Sequence, residues 1–196
     1  MSDPHTLVRC PWCGTDPLYV AYHDTDWGVP EYDGRALWEK LILDGFQAGL
    51  SWITILRKRE SFRVAFEGFH PEIIAYWGEE EVARLLGNAG IIRHRGKIEG
   101  TIKSAQAYLR IAEKQDFSDF LWAYVDGKPL VNRFSGMSEI PVATEISQRL
   151  SKDLKKAGFA FCGPTIVYAF MQAVGMVNDH IVTCHRHTQV GALARV

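Results

Sequence analysis

The 196 residues are 47% hydrophobic and 23% charged, with a formal net charge of −1. That composition excludes a disordered chain, and no apolar run reaches the roughly 18–20 residues a membrane span needs. Cys10, Cys13, Cys162 and Cys184 are too few and too unevenly spaced for a disulfide scaffold. The opening MSDPHTLVRC has no basic stretch leading into an apolar one, so no secretory signal is read and a cytoplasmic setting is expected. Near-neutrality, taken alone, argues against nucleic acid as the ligand. The charge is uneven: residues 1–50 carry 3 Lys/Arg against 8 Asp/Glu, and residues 51–110 carry 10 against 7. Ordinary solvated faces account for such a bias as readily as a dedicated surface does.

The apolar spacing is helical almost throughout. Leu37, Leu41 and Phe46 open one segment, and Ile53, Leu56, Phe62 and Phe66 carry it on toward Gly68. A helix around Val82, Leu85 and Leu86 stops at Asn88-Ala89-Gly90. A long one starts at His94, with Ile98, Ile102, Ala105, Leu109 and Ile111 on one face. Helices are also predicted over Phe117–Val125, Ala143–Lys156 and Thr165–Val174. No alternating β-branched run with a hairpin turn is present. The fold class read from these patterns is all-α.

Cys10 and Cys13 form a CPWC motif, and the C-terminal NDHIVTCHRH places His180 and Cys184 four residues apart. On a helix, that spacing puts both on one face. With His23 they would complete a Cys10, His23, His180, Cys184 set for Zn²⁺, tying the two ends of the chain together. Cys13, His185 and His187 are equally plausible ligands by spacing alone. Two readings compete: a redox dithiol at CPWC, although that normally precedes a helix in a βαβ unit, and unligated cysteines with surface histidines.

The segment LKKAGFAFCGPTIVYAFMQAVG reads as helix, tight turn, helix, with Gly158 and Gly163 in the turn and Thr165 opening the second helix. Such a hairpin turns backbone N–H groups and the positive end of a helix dipole toward an anion, which suits a DNA phosphate. Lys155 and Lys156 lie just before it. Between residues 12 and 52 stand Trp12, Tyr19, Tyr22, Trp27, Trp38 and Trp52, interleaved with Asp24, Asp26 and Asp44. As a group they could line a pocket both aromatic and acidic, which favours a flat cation such as an extruded alkylated nucleobase.

The runs DPLYVAYHDTDWGVPEYD, DGFQAGLSWITILRKRESFRVAF, AGIIRHRGKI and FCGPTIVYAFMQAVGMVNDH resemble the DNA-3-methyladenine glycosylase I family. The resemblance covers residues 9–187. It implies a monofunctional glycosylase of the helix–hairpin–helix superfamily, built as two helical lobes in one domain spanning 1–196. Segments 9–30 and 176–187 would be joined by one structural Zn²⁺ per chain, and the hairpin would occupy about 145–175. The family's ligand pattern falls on Cys10, His23, His180 and Cys184, leaving Cys13 as an additional thiol. Tyr22 and Trp52 correspond to the aromatics that embrace the flipped base, with Trp12 and Tyr19 nearby. Leu50, after Gln47-Ala48-Gly49, matches the wedge that enters the DNA stack, where a small-residue turn lets the backbone come close. The implied partner is duplex DNA carrying alkylated bases, with no membrane and a monomeric protein.

Two departures stand out. Asp44 occupies the position where the family typically has a glutamate contacting the base, and it is one methylene shorter. Glu39, five residues back on the helix, points elsewhere. The wider superfamily has a catalytic aspartate two residues before the motif histidine; here that position is Asn178, with Asp179 next to it. Methylation at N3 makes adenine a cation that departs neutral, so no general acid is required. No lysine in the base-pocket blocks is a candidate for a Schiff base, so strand cleavage is not expected. The competing readings are an idle lesion-binding module of the same fold and a zinc hydrolase, which needs an open metal position. On the glycosylase reading, the acidic first third faces the base, and Arg93, Arg95 and Lys97 are available for phosphates.

Overall fold

Local capping fixes where the first helices begin. Asp16 accepts from the amides of Leu18 and Tyr19 ahead of α1 (Pro17–Thr25), and Asp33 accepts from Ala36 ahead of α2 (Gly34–Gln47). The computed structural model describes residues 7–193; the opening six residues, read above for a leader, and 194–196 lie outside the described residues. The chain continues through α3 (Trp52–Leu56), α4 (Arg59–Ala65), α5 (Pro71–Ile74), α6 (Glu79–Leu86), α7 (Arg95–Ala112) and α8 (Phe117–Trp122). A long connection leads to α9 (Glu145–Ala157), then α10 (Pro164–Ala173) and α11 (His185–Gly191). The all-α reading holds, with one addition. The two-residue strands β1 (Leu130–Val131) and β2 (Val177–Asn178) pair in parallel.

The run read as continuous from Leu37 to Gly68 is divided into α2, α3 and α4. Gly49, at φ +83°, reverses the chain after α2, and Ser51 is extended. That break builds the turn Gln47–Leu50. At the C-terminal hairpin, Gly158 closes α9 at φ +110°, a left-handed conformation that glycine adopts without a steric cost.

Helix α2 is the hub. Leu37, Trp38, Leu41, Leu43 and Phe46 are buried on it, and it packs against α3, α7, α8 and α10. This main core also takes in Phe62, Phe66 and Phe69. A second, smaller apolar cluster joins the two ends of the chain: Cys10, Tyr22, Trp27, Leu56, Ala173, Ile181 and Cys184. The ends cross closely there. Gly28 N donates to Ala173 O and Glu31 N to Val174 O. Gly175 has φ +72°, and a Cβ on it would come within 2.6 Å of Gly28 O. Nothing larger than glycine fits that crossing.

Candidate active site and metal centre

The four residues Cys10, His23, His180 and Cys184 converge from both ends of the chain, and all are buried. Cys10 Sγ lies 3.6 Å from His180 Nδ1, and Cys184 Sγ lies 3.5 Å from both His180 Nδ1 and His23 Nε2. A tetrahedron with Zn–S of about 2.3 Å and Zn–N of about 2.0–2.1 Å has S···N edges of about 3.5–3.6 Å. The donor set therefore fits a tetrahedral ion. The opposite ring nitrogens are also committed: His23 Nδ1 meets Asp24 Oδ1 at 2.8 Å, and His180 Nε2 meets Trp27 O at 3.1 Å. Each of these acceptors favours the tautomer that leaves the inward nitrogen free to ligate. The contact between the two thiols holds Cys184 well below its usual range and pushes Cys10 well above it, so the pair shares one proton.

The residues left open by spacing stand outside this set. Cys13 Sγ turns back to Cys10 O, His187 Nε2 meets Asn132 O, and His185 Nε2 reaches Asp24 Oδ1 at 3.1 Å. Arg9 grips the same Asp24 carboxylate at 2.7–2.9 Å. With Cys10 capping and Cys13 ending a short 3₁₀ turn, and no βαβ unit among the described residues, the redox-dithiol reading has no structural setting there.

Beside the metal cluster opens a cavity of about 240 Å³, lined by Trp12, Tyr19, Tyr22, Trp27, Trp52 and Asp44 among others. Helix α1 presents Tyr19 and Tyr22, α3 begins with Trp52, and α2 carries Asp44. Tyr22 and Trp52 lie 5.5 Å apart at 42°, in direct contact. A base between parallel rings needs about 7 Å at ordinary carbon contact distances. The two aromatics thus form adjoining walls in this structure rather than a pre-opened slot.

Asp44 is only 2% exposed. Its Oδ1 accepts from Lys40 Nζ at 2.6 Å, and its Oδ2 is buried with no hydrogen-bond partner. Burial pushes the Asp44 carboxyl up and the Lys40 ammonium down, each opposed by the other's charge. The Lys40 ammonium also lies 3.8 Å from the centroid of the Trp52 ring. Burial, reinforced by Asp44, raises the Tyr22 hydroxyl well above its ordinary range, so it stays neutral.

The turn after α2 is braced from within and from below. Leu50 N donates to Gln47 O at 2.7 Å, and Gln47 Nε2 returns to Leu50 O at 3.1 Å. Lys97 Nζ, from α7, donates to the carbonyls of Phe46 and Ala48 at 2.8 and 2.7 Å. Leu50 is left 41% exposed at the tip, beside Gly49. At the hairpin, α10 begins at Gly163 with Pro164 at its first position and no side-chain cap, and Thr165 is exposed. Its first-turn amides are therefore free to meet an anion.

The family model for methyladenine glycosylase matches residues 12–187. The DNA-3-methyladenine glycosylase 1 of Escherichia coli (strain K12) is 54% identical over 179 residues, covering 91% of this chain and 96% of that protein. This chain belongs to the methyladenine glycosylase family. The Haemophilus influenzae DNA-3-methyladenine glycosylase is 49% identical over 178 residues, 90% of this chain and 96% of its own length. A crystal structure of 3-methyladenine DNA glycosylase I superposes with a TM-score of 0.90 at 53% identity, covering 91% of this chain and 98% of that one. The Staphylococcus aureus enzyme, whose structure addresses 3-methyladenine recognition, gives 0.88 at 40% identity, covering 90% and 95%.

Within this methyladenine glycosylase, several expectations need correction. Trp38 is wholly buried in the main core and lines no cavity wall. Asp24 holds His23 of the Cys/His cluster and Asp26 pairs with Arg59, so Asp44 is the aspartate that lines the aromatic cavity. Lys97 is buried beneath the turn and Arg95 is held by Glu79 and Glu99, so neither stands ready for a phosphate. Lys40, which lies outside the blocks searched for a Schiff-base lysine, lines the aromatic cavity, as do Gln172, Ile140 and Met137, none of them anticipated. The Lys40–Asp44 spacing of four on one helix was the available signal. Glu39 does point elsewhere, bonding Arg63 at 2.7 Å. Asp179 is fully engaged: Tyr168 Oη, Gln172 Nε2 and Asn132 Nδ2 all donate to it at 2.6–2.8 Å. Asn178 donates to His187 O.

Proposed function

We propose that this chain, acting as one unit over 1–196, hydrolyses the N-glycosidic bond of 3-methyladenine in alkylated duplex DNA after flipping the base into the aromatic cavity. The observation that carries the reading is a buried carboxylate among Trp and Tyr rings with one oxygen, Asp44 Oδ2, unpartnered. That oxygen suits the exocyclic amine of an adenine, and the carboxylate favours a base bearing positive charge. Tyr22 and Trp52 supply stacking faces, with Trp12 and Tyr19 completing the wall.

The residues' tasks then follow. Leu50, carried on the braced Gln47–Gly49 turn, fills the space the base vacates. The α10 amides at Gly163 and Thr165, set by the reversal at Gly158, hold a phosphate without reading sequence. The C1′–N9 bond breaks with its electron pair going to the base, which leaves as neutral 3-methyladenine. Water adds to the oxocarbenium carbon and releases a proton to solvent. No acid need protonate the base, which agrees with Asp179 being committed to three donors. Capture of the oxocarbenium carbon by water needs no amine, so a Schiff base and strand cleavage are not part of the proposed reaction. Zn²⁺ at Cys10, His23, His180 and Cys184 would serve structure, since four protein ligands complete its coordination.

The test is release of free base from methylated duplex DNA. Wild type releases 3-methyladenine and Trp52→Ala slows release by about 10²-fold or more, as expected when a base-positioning wall is removed. Unchanged release in Trp52→Ala removes the cavity from the mechanism, and lesion binding without release selects the idle module.

A further inference from the structure

A flat cation in this cavity needs an aromatic face and a carboxylate. Both are already engaged by a cation belonging to the chain itself: Lys40 Nζ lies over the Trp52 ring and donates to Asp44 Oδ1. Resting on the function proposed above, we infer that Lys40 is a specificity-determining residue. Its ammonium occupies the position between Trp52 and Asp44 that an alkylated base requires, and the base must displace it.

Three features support displacement over co-occupancy. Asp44 is the cavity's one carboxylate among the described residues, and two cations about 4 Å apart in a partly desolvated site repel strongly. Lys40 is held by the single side-chain hydrogen bond to Asp44, so its departure breaks no backbone contact. It also has somewhere to go. A second cavity of about 310 Å³ shares Tyr22, Lys40, Trp52 and Ala173 with the first; of its carboxylates, Asp26 and Glu39 pair with Arg59 and Arg63, while Glu31 accepts only from the backbone amides of Tyr32 and Asp33 and is left to receive the ammonium. Lys40 forms part of the wall between the two spaces, and its four-carbon stem can carry the ammonium from one to the other while α2 stays intact.

Displacement weakens the advantage a charged base has over a neutral one, because the incoming cation replaces an ion pair instead of meeting a lone carboxylate. The pocket therefore pays back part of its charge preference to Lys40. Removing the lysine charge should restore it.

The experiment measures binding of two small probes to the intact protein by calorimetry. One is 3,9-dimethyladeninium, a permanent cation; the other is 9-methyladenine, its neutral counterpart. In Lys40→Met and Lys40→Gln the cation binds at least about tenfold more tightly than in wild type, and the neutral probe shifts by less than about threefold. Lys40→Gln retains a donor for Asp44, so it keeps the test alive should Lys40→Met fail to fold. Adding Asp44→Asn to either variant abolishes the gain. Cation binding that is unchanged, weaker or undetectable in the Lys40 variants overturns the inference. Equal tightening of both probes also overturns it, since that reports a cleared volume and not a removed charge. Base release from methylated DNA, run in parallel, should show the gain mainly as a lower KM. Should wild type release no base, the proposed function fails, and the probe comparison still decides the role of Lys40.

Discussion

The Asp179 carboxylate separates a structural from a chemical role for the residue next to the superfamily's catalytic position. It is 1% exposed and accepts from Tyr168 Oη, Gln172 Nε2 and Asn132 Nδ2. These donors come from α10 and from the segment after β1, so one side chain pins three pieces of chain around β2. Asp179→Asn turns one acceptor oxygen into a donor that faces donors. A hydrogen bond to a charged group contributes roughly 1.5–3 kcal/mol, so losing one outright and weakening the others costs about 3 kcal/mol. For a chain of this length, about 2–4 °C of melting temperature accompanies each kcal/mol, giving a drop of about 6–12 °C. The assay pairs a calorimetric melt with single-turnover base release at 20 °C, where the variant remains folded, and with a zinc determination. Release should stay within about threefold of wild type. A melting temperature that barely moves, together with release lost by about 10²-fold or more, would mean the carboxylate acts on the reacting sugar.

Other outcomes follow from the same geometry. Purified protein should hold about one equivalent of zinc, and its removal by a strong chelator, or Cys184→Ala, should lower the melting temperature by about 10 °C or more by releasing the two chain ends. Leu50→Ala should slow release from duplex DNA by about tenfold while leaving release from alkylated single strands nearly unchanged, because only the duplex has a stack to fill. Burial pushes the Cys162 thiol up to about 11, so in the folded protein it should resist thiol reagents at neutral pH. Its labelling rate should rise only as the pH approaches that value; rapid labelling at pH 7 in the native state would show the hairpin to be open.

Much of this was legible in the sequence because local signals coincided. The Gly158 stop, the helix expected from Thr165 and the apolar spacing of α7 each predict the element found, to within a residue at the start of α10. The nearness of His180 to Cys184 and the CPWC motif also pointed to the Cys/His cluster, although His180–Cys184 is a turn and not the helix that the spacing implied, and they could not choose among thiols and imidazoles. That choice depends on where Asp24 directs His23 and His185, and on the short turn that points Cys13 back to Cys10 O. Lys97 was misread and Lys40 passed over for a common reason. A lysine on an amphipathic helix reads as solvent-facing, and its burial is decided by partners distant in sequence: the Trp52 ring for one, the Phe46 and Ala48 carbonyls for the other. The cavity residues Gln172, Ile140 and Met137 carried no local signal, because α10 and the long connection reach the site only through the tertiary fold.

The charge distribution takes a different meaning from the one its sequence profile invites. The basic excess of residues 51–110 does not amount to a phosphate-binding face: Arg57, Arg59, Arg63 and Arg95 each hold a carboxylate, and Lys97 lies beneath the wedge turn. Arg93 and Lys103 remain exposed in that stretch, and Lys155 and Lys156 stand exposed in the last turn of α9 beside the hairpin. On the proposed function, the hairpin itself meets an anion with neutral amides. Counterion release scales with the number of phosphates neutralised by cations. A chain of net charge −1 can therefore hold duplex DNA by backbone amides with only a shallow dependence on salt. On the proposed function, selectivity then rests on the Asp44 carboxylate and the Lys40 ammonium paired with it inside an aromatic wall, where low polarity magnifies each charge far more than any surface patch could.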